Sequence, residues 1–390
     1  MNWPLVKIGD FCITGSGGTP SRAKSEYFEG DIPWIKSGDL RENIVMNATE
    51  FISKEAVKNS SAKMVAKGSI LLAMYGATVG RMALLGIDAT TNQAICNITP
   101  DSNIAFTKYV YYALLSKVPE FLKSAVGGAQ PNISQGIIRE TQIPLPPLAE
   151  QKRIAAILDK ADAIRRKRQQ AIKLADDFLR SVFLDMFGDP VSNPEGFPVG
   201  TIRDMVESAN YGTSGKASET EGEFPILRMG NITYEGGWDF TDLKYIDINE
   251  PEKHKYLLKK GDLVFNRTNS KELVGKTAVF EENKEMVIAG YLIRVRCNDK
   301  GNSHYISGYL NSNHGKTTLQ AMCKSIVGMA NINAQELQDI NILIPPIELQ
   351  NKFAALVLSV NQKVSHLEEV KNISNQLFNS LSQQAFSGNL

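Results

Sequence analysis

Gly315-Lys316-Thr317-Thr318 ends like a phosphate-binding loop, in which backbone N–H groups, a lysine and a metal-holding hydroxyl converge on a nucleotide. The first glycine of that pattern would fall at Leu310, and at Ser270 for the related Gly275-Lys276-Thr277, so neither stretch builds the cradle. Gly15-Ser16-Gly17-Gly18-Thr19-Pro20 is rich in backbone donors but lacks the G-x-G-x-x-G spacing that opens a helix onto a dinucleotide, and it reads as a plain turn. Leu145-Pro146-Pro147-Leu148 and Ile344-Pro345-Pro346-Ile347 lack the flanking Asn or Asp and the aromatic with which amino-methyltransferases hold a base amino group. Asp262 with Glu282-Asn283-Lys284 imitates a nuclease carboxylate–lysine cluster, but the latter run reads as a solvated loop. Four cysteines and four histidines lie far apart, with no C-x-x-C or closely spaced histidine pair, so neither zinc ligation nor a Ser/His/Asp or Cys/His nucleophile is indicated. Catalytic residues: none; metal ligands: none.

What the chain does offer is a set of polar turns of the kind that bind. Lys36, Ser37 and Asp39 share one turn, and Tyr75, Thr78 and Arg81 a second. Gln93, Gln130 and Asn132 lie in later loops. Further along come Arg228 and Asn231, then Arg267, Asn269, Lys271 and Lys276, then Asn331. These side chains read base edges and phosphates, and they are equally the side chains of solvated loops. Composition leaves both readings open.

The second group repeats the first. Ile32-Pro33-Trp34-Ile35-Lys36-Ser37-Gly38-Asp39-Leu40 is answered by Phe224-Pro225-Ile226-Leu227-Arg228-Met229-Gly230-Asn231-Ile232. Lys67-Gly68 is answered by Lys260-Gly261, Val79-Gly80-Arg81 by Val274-Gly275-Lys276, and Asn132-Ile133 by Asn331-Ile332. Ile143, Pro146, Pro147 and Gln151 match Ile342, Pro345, Pro346 and Gln350. Blocks in one order at a slowly drifting offset mean two copies of one design, too long for a solenoid unit. Each copy opens with short apolar runs broken by Gly, Asn and Pro, a texture of strands and turns with a few helices such as Phe106–Ser116.

A Pro-Pro pair then introduces a tract almost free of Gly and Pro. In the first tract Ile154, Ile157, Ala161, Ile164, Ala171, Ala175, Phe178 and Val182 fall at heptad spacing, with Arg168 breaking the stripe. In the second, Phe353, Leu356, Val360, Leu367, Val370, Leu377 and Leu381 do so, interrupted by Lys363 and Ser374. Because a globular domain intervenes, the second helix must run back along the first. The expected fold is α+β: two similar domains, 1–145 and 191–344, separated by an antiparallel pair of long coiled-coil helices, 146–190 and 345–390, with pseudo-two-fold symmetry.

The composition fits this. With 390 residues, 43% apolar, the chain is long enough for two cores, and 43 Lys+Arg against 42 Asp+Glu leave a net charge of +1. Nucleic-acid binding would then rest on a local basic groove, not on the whole-chain charge. No apolar run approaches the ~20 residues of a membrane span and the N-terminus has no export signal, so a cytoplasmic protein without membrane partners is expected.

Ser16–Ser21, Ile32–Leu40, Lys67–Leu72, Tyr75-Gly76, Asn92-Gln93 and Pro131–Ser134, in that order, resemble a target-recognition domain. Ile143-Pro144-Leu145-Pro146-Pro147-Leu148-Ala149-Glu150-Gln151-Lys152-Arg153-Ile154, opening a long helix, is the most specific signature. Over essentially its whole length the chain resembles the DNA-specificity (S) subunit of type I restriction–modification systems. Copy two departs from the pattern in Leu349-Gln350-Asn351-Lys352-Phe353 and in lacking Ser-Gly-Gly-Thr-Pro. The resemblance implies a non-catalytic subunit that reads a split, asymmetric sequence in double-stranded DNA, one half per domain, with the helices fixing the spacer. It also implies docking of two methyltransferase (M) subunits, through Pro147, Glu150, Gln151, Arg153, Pro346 and Gln350, with two restriction (R) subunits able to join. No cofactor is expected on this chain; AdoMet, ATP and Mg would belong to the partner subunits. The rival expectations are a single-chain enzyme with its own catalysis and a coiled-coil scaffold without sequence readout.

Overall fold

The computed structural model describes residues 3–41, 43–124, 132–326 and 329–390. The chain divides into two compact units, Met1–Arg168 with Val370–Leu390, and Gln169–Glu369. Gln130, one of the expected DNA contacts, lies outside the described residues.

In unit one the run Ile70–Ala73 becomes a strand buried on both faces, which is why it is apolar without alternation. It sits at the centre of a five-stranded sheet in the order Cys12–Ser16, Ile95–Pro100, Ile70–Ala73, Met82–Leu85, Ile44–Val45. The two-residue period sorts its side chains. Ile70 and Leu72 join Met82, Leu84, Cys96 and Ile98 beneath the helix Thr107–Ser124, whereas Leu71 and Ala73 join Leu85, Ala89 and Ile35 on the opposite side. That second layer is a four-stranded sheet in the order Glu50–Ile52, Ile32–Ile35, Ala89–Thr91, Met64–Val65. A short antiparallel pair, Leu5–Lys7 with Gln142–Pro144, closes the unit.

Unit two repeats the plan. Leu263–Asn266 is central to a four-stranded sheet with Val206–Tyr211, Leu292–Cys297 and Thr277–Val279. Leu263 and Phe265 face the helical side, and Val264 faces Leu227, Ile288 and Phe280. Val199–Thr201 pairs with Asn341–Leu343, the counterpart of the closing pair in unit one. A three-stranded sheet of Thr268–Asn269, Met329–Asn331 and Lys324–Ile326 stands at the end of this unit.

The repeated Val-Gly dipeptides have a backbone cause. Gly80 and Gly275 take φ of +80° and +82°, a left-handed conformation that side chains disfavour. A Cβ on them would also lie 2.9 Å from Val118 and 2.6 Å from Leu319, on the covering helices.

The two long helices are present: α1, Leu148–Phe187, and α2, Ile347–Phe386, each of 40 residues and so about 60 Å long at ~1.5 Å per residue. In unit one Arg153 reaches the Leu390 carbonyl, Arg165 lies over the Phe378 ring and Arg168 donates to Ser374, so α1 rises where α2 falls. Two of the three residues that interrupt the apolar stripes, Arg168 and Ser374, thus meet each other. In unit two Phe353 packs edge-on to Phe183 and Phe187, whereas the end of α2 belongs to unit one. The stripe read from the sequence needs correction, however. Ile164 and Phe178 are each 50% exposed, and Leu356 and Leu377 are exposed too, while Leu158, Asp162, Phe183, Phe187 and Phe378 are buried. The helix ends pack into globular cores, so strands and loops choose the buried face, and a 3.6-residue helix drifts from a strict heptad.

Candidate nucleic-acid interface

The loops of unit one are gathered by main-chain hydrogen bonds. Gly17 N–H donates to Ile95 O at 3.2 Å and Gly18 N–H to Thr91 O at 2.8 Å. Asn92 N–H donates to Ile35 O at 2.9 Å, Met74 N–H to Ala94 O at 2.8 Å, and Ile133 N–H to Met74 O at 2.7 Å. These bonds bring the glycine turn, Lys36–Ser37, Tyr75, Gln93 and Asn132 to one end of the sheets, and Tyr75 and Asn132 form a β-bridge there.

Unit two makes the same junction bond for bond. Gly212 donates to Leu292 O at 3.2 Å, Thr213 to Ile288 O at 2.8 Å, Ala289 to Leu227 O at 2.9 Å, Arg267 to Tyr291 O at 3.0 Å, and Ile332 to Arg267 O at 2.9 Å. Gly212 is therefore the counterpart of Gly17, although no Ser-Gly-Gly-Thr-Pro stands in copy two. A Cβ on Gly17 would lie 2.1 Å from Thr91 O, and one on Gly212 2.2 Å from Ile288 O. Gly17 and Gly212 are the glycines that this crossing requires in both units; at the next position a Cβ on Gly18 would lie 2.3 Å from the Ser61 backbone, whereas unit two carries Thr213.

Several expected contacts prove to be committed to the fold. Lys36 Nζ binds Glu50 Oε1 at 2.5 Å, and Arg228 Nη2 binds Asp242 Oδ2 at 2.8 Å, the same ion pair at the same sequence separation in both units. The hydrogen bond from Lys36, with help from Arg22, holds the Glu50 carboxyl below its usual range. Asp39 accepts the Lys36 N–H at 2.9 Å, Asn231 accepts the Arg228 N–H at 2.9 Å, and Asn231 is buried. Asp39 and Asn231 are therefore turn-capping groups, which corrects their expected role as base readers. The carboxylate partners, Glu50 at the start of a strand and Asp242 in a loop, belong to no repeated sequence block; the equal spacing from each cation is the signal that would have revealed them.

Lys276 is spent as well: its ammonium donates to Ile232 O, and burial lowers its pKa. Beside it Lys316, not among the expected contacts, donates to Tyr234 O at 2.8 Å and lies 3.3 Å from that ring centroid. Burial, followed by repulsion from Arg180, pushes Lys316 down to about 8. Gln93 accepts from Thr19, and Asn269 accepts from the Ser270 N–H. Tyr75 and Thr78 are half-buried, and burial raises the Tyr75 hydroxyl. Ser37 is also half-buried, whereas Arg81, Asn132 and Lys271 are exposed. Asn331 Oδ1 and Arg267 Nε are buried without a partner.

The residues expected to dock partners separate cleanly. Gln151 and Gln350 are 0% exposed. Gln151 accepts the Phe106 N–H at 2.7 Å and donates to Ile104 O and Pro146 O. Gln350 accepts the Asn302 N–H at 2.9 Å and donates to Lys300 O and Pro345 O. Both amides latch the start of a long helix to their own domain and face no partner, because an interior site makes them satisfy backbone groups there. Pro147, Arg153 and Pro346 remain exposed, and Glu150 and Arg153 form a bidentate pair at 2.9 and 2.7 Å.

A cavity of about 470 Å³ in unit two is lined by Asp262, Glu281, Arg296, Ser303 and His304, among others. Two of its polar pairs are closed internally: Arg296 Nε binds Asp262 Oδ1 at 2.8 Å and His304 Nε2 faces Glu281 Oε1 at 2.9 Å. The Ser303 hydroxyl donates to Gly261 O at 2.5 Å, so it forms no nucleophile–base pair with its neighbour His304. Glu282, Asn283 and Lys284 are exposed, and no cluster of potential metal ligands occurs among the described residues. No helix among them is long and apolar enough to cross a membrane.

The family profile described as "Type I restriction modification DNA specificity domain" matches residues 1–174 and again 194–377. The chain is 27% identical to the type I restriction enzyme MjaIX specificity subunit of Methanocaldococcus jannaschii, over 93% of this chain and 88% of that one. It is 24% identical to the EcoKI specificity subunit of Escherichia coli K12, over 100% of this chain and 89% of the relative. Its fold is similar to the crystal structure of a type I restriction–modification S subunit from M. genitalium, with a TM-score of 0.62, 17% identity, and coverage of 99% of this chain and 96% of that one.

Proposed function

The chain belongs to the type I restriction–modification DNA specificity family, and from that premise we propose that it reads a bipartite, asymmetric sequence in double-stranded DNA, one half with each unit. The observation that carries this is the doubled junction: one set of main-chain hydrogen bonds presents two different sets of side chains. Hydrogen bonds between backbone groups fix loop positions without fixing what the loops display, which is what two readers of different sequences require.

The subunit works without catalysis of its own. An Arg296–Asp262 pair committed to the fold, and a serine whose hydroxyl is engaged elsewhere, support that reading. AdoMet, ATP and Mg then act on the methyltransferase and restriction subunits. Two M subunits dock near the helix starts, where Pro147, Glu150, Arg153 and Pro346 reach the surface, and two R subunits can join them. Co-expression with a methyltransferase subunit, followed by mapping of methylated positions in host DNA, tests this. The expected result is one motif of two fixed blocks around an unspecified gap. Methylation without sequence preference would leave a scaffold, and DNA methylated or cut by the purified chain alone would mean a single-chain enzyme.

A further inference from the structure

We propose that Arg267 reads a guanine in the half-site of the second unit, through the major-groove edge of that base, and that Tyr211 is its positioning residue. This rests on the reading above, that each unit recognises one half-site.

Arg267 stands in the junction itself, its N–H bonded to Tyr291 O and its carbonyl receiving the Ile332 N–H. Its backbone is therefore fixed on both sides. The guanidinium carbon lies 4.8 Å from the Tyr211 ring centroid, and the Tyr211 hydroxyl is held by the Ala334 N–H at 3.0 Å. Stacking on an anchored ring restricts the arginine before any ligand arrives, which lowers the entropy cost of binding.

Apart from the exposed Lys271, the other cations of the second unit's repeated turns are occupied and Arg267 is not. Arg228 is bound to Asp242, Arg296 to Asp262, Arg294 to Leu257 O, Lys276 to Ile232 O and Lys316 to Tyr234 O. The Arg267 side chain makes no hydrogen bond or ion pair among the described residues, and its Nε is buried. The two terminal nitrogens, equally without partners, are not buried. A fork presented end-on by its two terminal N–H groups matches the O6 and N7 acceptors of guanine. A phosphate, by contrast, accepts a cation from many directions and needs no such aiming.

Unit one supplies the internal contrast. Met74 occupies the same junction position, with the same two backbone bonds, and is buried. The arginine is thus specific to the second reader.

The test uses the chain assembled with its methyltransferase subunits. Methylome mapping first defines the motif, and duplexes carrying 7-deazaguanine at each guanine of the second half-site are then bound by the wild-type complex. The expected result is a loss of about tenfold to a hundredfold at one guanine, with matching relaxation at that position alone in Arg267→Ala and Tyr211→Leu. Arg267→Lys, which keeps the charge but not the fork, should fail to restore it. The deaza substitution needs no variant, so a misfolding mutant does not block the test. Uniform weakening with every base preference kept, full rescue by lysine, or a second half-site without guanine would overturn the proposal while leaving the two-reader function standing. A wild-type complex with no sequence preference would sink both.

Discussion

At the junction of unit one stand Met74, Ala94 and Ser16; at the matching points of unit two stand Arg267, Tyr291 and Tyr211. The hydrogen bonds beneath are the same in both, and so are the Lys36–Glu50 and Arg228–Asp242 pairs and the Gln151 and Gln350 latches. Two copies of one chain design have kept the junction bonds, the ion pair and the latch, and changed what the loops show. A main-chain bond is blind to the side chain it carries, so recognition can diverge without a cost in folding. A buried glutamine or a glycine in a close crossing has no such freedom.

The largest effect should come from breaking the comparison at domain level. Replacing residues 1–145 with the corresponding domain of another family member should give a new first half-site and leave the second unchanged in the methylome. If both halves changed together, the units would not read separately.

The latches should come next. Gln151→Leu leaves the Phe106 N–H and the carbonyls of Ile104 and Pro146 without partners, and Gln350→Leu does the same to Asn302, Lys300 and Pro345. Each should cost about 2–4 kcal/mol. Hydrogen exchange should then rise at Ile70–Ala73 in the first variant and at Leu263–Asn266 in the second. Equal exchange in both strands for either variant would show that the latches are not local.

A smaller loss, about 1–2 kcal/mol each, is expected from Gly80→Ala and Gly275→Ala, since both glycines have left-handed φ. The Gly275 variant should be worse, because its Cβ meets Leu319 at 2.6 Å against 2.9 Å to Val118 for Gly80. Denaturant midpoints would check the order.

The smallest effect separates the units by pH. All four histidines lie between residues 254 and 366, in unit two. Burial lowers the pKa of His304 from 6.5, and the Glu281 hydrogen bond only partly opposes it. The unfolded chain therefore takes up this proton more readily than the fold does, and stability falls as pH drops through about 6.5. Exchange at Leu263–Asn266 should quicken between pH 7.5 and 5.5 relative to Ile70–Ala73, and His304→Gln should remove the difference; a parallel response in both strands would refute the assignment.

Much of this organisation was legible in the residues. The Lys-Gly, Val-Gly and Pro-Pro-x-x-x-Gln blocks repeat because a left-handed turn admits glycine and a buried latch admits an amide. Two long tracts free of Gly and Pro could only be helices. Those are local or chemically exacting demands, and sequence records them directly. What waited for the tertiary structure was which side chains remain free. Lys36 and Arg228 look alike from the chain and are both spent on carboxylates outside the repeated blocks. Arg267 looks no different from them, yet its guanidinium stays open because Tyr211, from a strand more than fifty residues earlier, supplies a ring and no charge. The buried face of α1 was misread for the same reason: strands distant in sequence chose it. Spacing along a chain fixes what a residue can do, but its partners arrive through space, and they decide what it has left to offer.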